Sequence, residues 1–78
     1  MHDYCVYFTI KANRTQYTNR LWVEAKTAKE ARDKCKLEVI KRTGRNAFNP
    51  TTVAPHNYDN MEHFPMDDSK VVADVKAD

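Results

Sequence analysis

"TNRLWVEAKTAKEARDKC", Thr18–Cys35, decides the fold. Its first half alternates as a strand does, with successive side chains on opposite faces. Leu21, Val23 and Ala25 make one face; Thr18, Arg20, Trp22 and Glu24 make the other. Its second half changes period. Thr27 followed by Glu30 matches a capping box, which satisfies the orphan N–H groups at a helix start. Ala28, Ala31, Cys35 and Val39 then recur at helical spacing. A strand therefore feeds a helix, and the only tryptophan of the chain sits on the polar side of that strand.

Upstream, Tyr4–Lys11 alternates in the same way. Tyr4, Val6, Phe8 and Ile10 share a face, and Cys5, Tyr7, Thr9 and Lys11 share the other. These are β-branched or aromatic residues of the kind strands prefer. "ANRTQ" is a connection of hairpin length, too short for a crossover, so the Tyr4–Lys11 and Tyr17–Lys26 strands pair antiparallel. Downstream, the helix runs over Ala28–Thr43. Gly44, the only glycine, stands where a left-handed residue ends a helix. Lys41, Arg42 and Arg45 suit its negative end. Leu37 and Ile40 fall off the apolar stripe and need cover, from the second half of the chain or from a second copy in a homodimer.

After Gly44 the signals weaken. All three prolines lie here, among asparagines, aspartates and threonines. A short strand at Thr51–Ala54 and a last one over Ser69–Val75 are expected, joined by a long connection whose apolar residues argue that it packs. The fold class is α+β: an antiparallel sheet starting with a β-hairpin, one main helix packed on it, and one or two C-terminal strands. The chain, 78 residues long, is one domain, with a basic ββα module over 1–45 and an acidic, loop-rich segment over 46–78.

Charge follows that division. From Lys11 to Arg45 there are eleven Lys/Arg and four Asp/Glu; from Asn46 to Asp78 there are two and six. With Asp3 the net charge is +2. A basic half suits an acidic partner. No apolar run approaches the roughly 18 residues of a membrane span, and the N-terminus lacks the basic lead of a signal peptide. A cytoplasmic protein without membrane contact is expected.

The residue types that ligate zinc are present as Cys5, Cys35, His56 and His63. Their spacing does not fit a site: no C-x2-C pair exists, and the two histidines are seven apart. Cys5 on one sheet face and Cys35 on the core stripe are poorly placed for a disulfide. A reactive thiolate needs a cationic or helix-N-terminal setting, which a mid-strand Cys5 lacks. With one glycine there is no Gly-rich phosphate loop. No enzyme activity, metal or cofactor is expected.

The polar face of the hairpin remains. Beside one another it carries Cys5, Tyr7, Thr9 and Lys11, and Thr18, Arg20, Trp22 and Glu24. Trp, Tyr and Arg dominate protein interfaces, and aromatics on a sheet also stack unpaired bases. The second half of the chain could instead wrap over this face and bury Trp22. The candidate partner-binding residues are Tyr7, Lys11, Arg14, Arg20 and Trp22.

The join "VEAKTAKEARDKC" resembles the V-x-A-x-T/S-x-x-E-A strand-to-helix connection of many small α+β proteins, including many of phage origin. In length, in its patterned charge and in lacking a catalytic constellation, the chain resembles small phage proteins that inhibit host defence, of the anti-CRISPR type. That resemblance implies a non-enzymatic inhibitor, from a phage or mobile element, that binds a host protein or nucleoprotein complex in the host cytoplasm. It transfers no residue roles, since no motif is shared. The alternative is a direct nucleic-acid binder using Lys11, Arg14, Arg20, Trp22 and the helix lysines; the acidic second half disfavours it.

Overall fold

The computed structural model describes residues 1–72. Strand β1 (His2–Ala12) and strand β2 (Thr15–Ala25) form a long hairpin, followed by helix α1 (Ala28–Thr43) and a short strand β3 (Phe48–Thr51). The sheet order is β2-β1-β3, with both pairings antiparallel. Tyr58–Asn60 forms one 3-10 turn. The expected α+β architecture is the one observed.

Both hairpin strands are longer than the alternation alone predicts. Val6 faces Leu21, Cys5 faces Trp22, and pairing continues to Ala12 opposite Thr15. That leaves a two-residue turn, Asn13-Arg14, with φ of 53° and 62°. Positive φ at both central positions marks a type I′ turn, whose twist matches that of the flanking strands.

Helix α1 starts and stops where its caps dictate. The Glu30 N–H donates to the Thr27 hydroxyl oxygen at 3.1 Å, and the Lys26 N–H donates to Glu30 Oε1 at 2.8 Å. Gly44 has φ 73°, and its N–H donates to the Ile40 carbonyl at 2.8 Å. The helix lies on the Val6 face of the sheet. Val6, Phe8, Ile10, Leu21, Val23 and Ala25 meet Ala31, Cys35 and Val39 in one cluster, joined by Ala47 and Val71. Each large member contributes about 1.5–3 kcal/mol by leaving water. Alanine and cysteine along the contacting stripe let the helix approach closely.

The second half departs from expectation in three places. The short strand forms at Phe48–Thr51, earlier than Thr51–Ala54. Tyr7 pairs with Thr51 and Thr9 with Phe48, so β3 carries one extra residue. Asn49, at φ 53°, takes up that bulge. The last strand, expected over Ser69–Val75, is a single parallel bridge between Val23 and Val71 among the described residues; positions from 73 onward lie outside them. Nor do the described residues of the second half cover Leu37 and Ile40, which stay 70% and 45% exposed. Its apolar residues go elsewhere: Phe64 and Met66 pack on the main core and Val71 is buried in it.

Residues 62–71 run instead as a strap along the outer edge of β2. The Thr18 N–H donates to the Glu62 carbonyl, and the Asn19 amide makes two bonds with the Phe64 backbone at 2.7 and 2.8 Å. Arg42 reaches across from α1 to the carbonyls of Asp67 and Ser69. The Val71 N–H donates to the Trp22 carbonyl, the Glu24 N–H to that of Val71, and Lys70 pairs with Asp3. The edge of β2, otherwise a row of open donors and acceptors, is thereby covered.

Candidate functional site

Helix α1 occupies one side of the sheet, and the candidate residues stand mainly on the other. Strand alternation sends Cys5, Tyr7, Arg20 and Trp22 outward together, because each is out of phase with a buried neighbour. The pairing of Cys5 with Trp22 and of Tyr7 with Arg20 makes them one contiguous patch.

The strap's leading loop covers only part of this patch. Tyr58 stands edge-on to Tyr7 with ring centroids 5.3 Å apart, and Arg20 lies over the Tyr58 ring at 4.8 Å. His63 stacks beside Tyr58 at 4.4 Å, while its Nδ1 donates to the Thr18 carbonyl. Trp22 lies beyond this cover and remains 48% exposed. The possibility that the second half buries Trp22 is thus not realised among the described residues. Tyr58 is the member of this patch that alternation could not reveal: it reaches the sheet from a loop, and only chain reversal at residues 58–60 places it there.

The patch has a definite electrostatic character. Hydrogen bonding to Cys5 raises the Tyr7 phenol above its usual range, burial adds to this, and Arg20 works the other way. Burial raises the Tyr58 phenol, again against Arg20. Both phenols are therefore neutral at pH 7, and Arg20 carries the only formal charge among Tyr7, Tyr58, Arg20 and Trp22. Arg20 makes no ion pair with a described carboxylate. Its guanidinium rests on the face of Tyr58, across the strand pair from Tyr7, with no described carboxylate to neutralise it. Glu24, next on the same face, lies 4.0 Å from Lys70.

Lys11 and Arg14 do not join this patch. Trp22 is seven residues from Thr15 along β2, about 23 Å at the usual rise. Arg14 is in the turn itself, and Lys11 extends over the Phe48 ring at 4.6 Å. The five candidate residues thus form two groups: Tyr7, Arg20 and Trp22 on the sheet face, and Lys11 and Arg14 at the hairpin end. Arg45, beyond the helix C-terminus, completes the second group.

The cysteines lie on opposite sides of the sheet as free thiols. Cys35 is in the core, where burial pushes its thiol up to about 12. Among the described residues no three His, Cys, Asp or Glu side chains come together as metal ligands. A shallow groove of about 350 Å³ runs beside Tyr7, between Thr18, Thr51, Val53 and Met61, and it has no titratable pair suited to acid–base work. Among the described residues no helix is long and apolar enough to cross a membrane. No family model matches the chain, and no curated protein or solved structure matches it.

Proposed function

We propose that this is a non-enzymatic binding protein whose contact surface is the outer sheet face centred on Trp22 and Arg20. The observation that carries this reading is a half-exposed tryptophan beside an arginine with no described counter-ion, both on a rigid hairpin. Tryptophan and arginine supply most of the energy at protein interfaces when a partner excludes water from them. A sheet holds both without the ordering cost that a loop carries. The partner is a protein surface with an apolar pocket and an acidic group near it. The resemblance to small phage inhibitors narrows this to a host protein or nucleoprotein complex, which the protein would block by occupying its surface.

Affinity capture from a bacterial host lysate, treated with nuclease, tests the reading. The wild-type chain retains a protein partner, and Trp22→Ala loses it by about 2 kcal/mol or more while folding normally. Equal retention by Trp22→Ala rejects this surface. Recovery of nucleic acid alone, lost on nuclease treatment, favours the direct nucleic-acid reading instead.

A further inference from the structure

The hairpin end carries a second feature, separate from the Trp22 face. Lys11, Arg14 and Arg45 converge on an open hollow of about 350 Å³, with Asn13 and Gln16 in its wall. None of the three cations pairs with a described carboxylate. Two are held in place by aromatic rings: Lys11 lies over Phe48 at 4.6 Å, and the Arg45 guanidinium is 5.6 Å from the Phe64 ring. Three like charges around one space repel one another unless an anion joins them.

The backbone makes Arg14 more telling. It occupies the second central position of the type I′ turn at φ 62°. Glycine is strongly preferred there, because an L side chain resists positive φ. An arginine kept at a position where glycine is easier to fold points to what the side chain does rather than to the turn.

We infer that the hairpin end binds phosphate, and that the phosphate belongs to a polynucleotide backbone. Arginine's planar fork suits phosphate oxygens, and a lysine adds a compact charge. The polymer source follows from shape. A small-molecule site encloses most of its ligand, whereas this hollow is open at the end of the molecule and touches one group of something larger. Phosphate contacts of this kind position a protein without reading sequence. The site shares no side chain with the Trp22 surface, so the two readings stand or fall separately.

The test uses the full chain and a fluorescein-labelled single-stranded DNA of mixed sequence, about twelve nucleotides long. Anisotropy is followed against salt. Arg14→Gly weakens binding about three- to fivefold at low salt and makes the log–log salt slope shallower by about 0.7, the share of one phosphate on a single strand. Its melting temperature stays the same or rises, since glycine relieves the turn. Lys11→Gln and Arg45→Gln each behave alike in binding, while Lys36→Gln, on the exposed helix surface, leaves binding unchanged.

Four results overturn the inference. The wild-type chain fails to bind the DNA; Arg14→Gly binds as the wild type does; Lys36→Gln weakens binding as much as Arg14→Gly, so that only overall charge matters; or competitors show the wrong chemistry. The last covers two cases. Poly-glutamate displacing the DNA as well as unlabelled DNA does, at equal charge, means a carboxylate partner. Inorganic phosphate doing so at equal phosphate concentration means a free anion.

Discussion

Trp22 and Cys35 show how far one residue's setting can differ from its neighbour's. Trp22 stands between buried Leu21 and Val23 yet faces solvent, since alternation allows no other choice once those two are in the core. Its fluorescence should therefore be red-shifted and readily quenched by acrylamide in the free protein; a blue-shifted, protected emission would place it under cover and remove the proposed contact surface. Cys35 is the opposite case. Its thiol is fully buried and pushed up to about 12, so it is protonated and out of reach at pH 8, whereas Cys5 is partly exposed. One thiol per chain should react rapidly with a disulfide reagent at pH 8 and two in denaturant. Two fast thiols in the native protein would mean that the helix does not pack as described. Each of the two side chains sits within a regular element whose period assigns its face.

The elements obey local rules at their ends. Gly44 closes α1 in the left-handed region, and a Cβ placed on it meets nothing within 4 Å. The penalty of Gly44→Val is therefore torsional rather than steric, about 1–2 kcal/mol. Chemical denaturation should show that loss with an unchanged slope; an unshifted midpoint would refute the cap. Thr27→Ala should lose about 1 kcal/mol in the same assay, because Thr27 holds the Glu30 N–H. Strand β3 shows where local rules run out. Its sequence, Phe48–Thr51, includes a proline and two polar residues, and it pairs only because β1 presents an open edge. Position within the sheet, not propensity, decides where that strand begins.

At the scale of the whole molecule, the strap closes the fold. Asn19 is a buried polar residue whose amide both donates to and accepts from the Phe64 backbone. Asn19→Ala removes both bonds and leaves a part-buried backbone N–H and C=O of Phe64 without their partner, a loss of about 1–2 kcal/mol. Limited proteolysis should then cut the strap, around residues 57–70, well before the hairpin and helix. Equal resistance in wild type and variant would show that Arg42 and Val71 hold the strap without Asn19. The strap also responds to pH through Lys70, whose ammonium is raised above its ordinary range chiefly by its hydrogen bond to Asp3. A raised value stabilises the fold below the lysine's unfolded pKa, and that contribution is lost as pH rises through the folded one. The contact is exposed, so the effect is small.

The sequence by itself determined the ββα half. Periods of two and of about 3.6 assign Val6, Phe8, Ile10, Leu21, Val23, Ala25, Ala31, Cys35 and Val39 to the core, though not the buried Ala12, which reads as connection, or Asn19; the Thr27–Glu30 and Gly44 signals bound the helix, because those features act over a few residues along the chain. It also placed Tyr7, Arg20 and Trp22 on one face. Tertiary structure alone decided the rest. The path of residues 45–72 is set by open groups on the edge of β2, by Asn19 and by Arg42, partners as remote in the sequence as Trp22 is from Val71, and no local pattern encodes them. For the same reason Tyr58 over Arg20, and Arg45 beside Lys11 and Arg14, became visible only in three dimensions: groups remote in the chain meet where the fold closes.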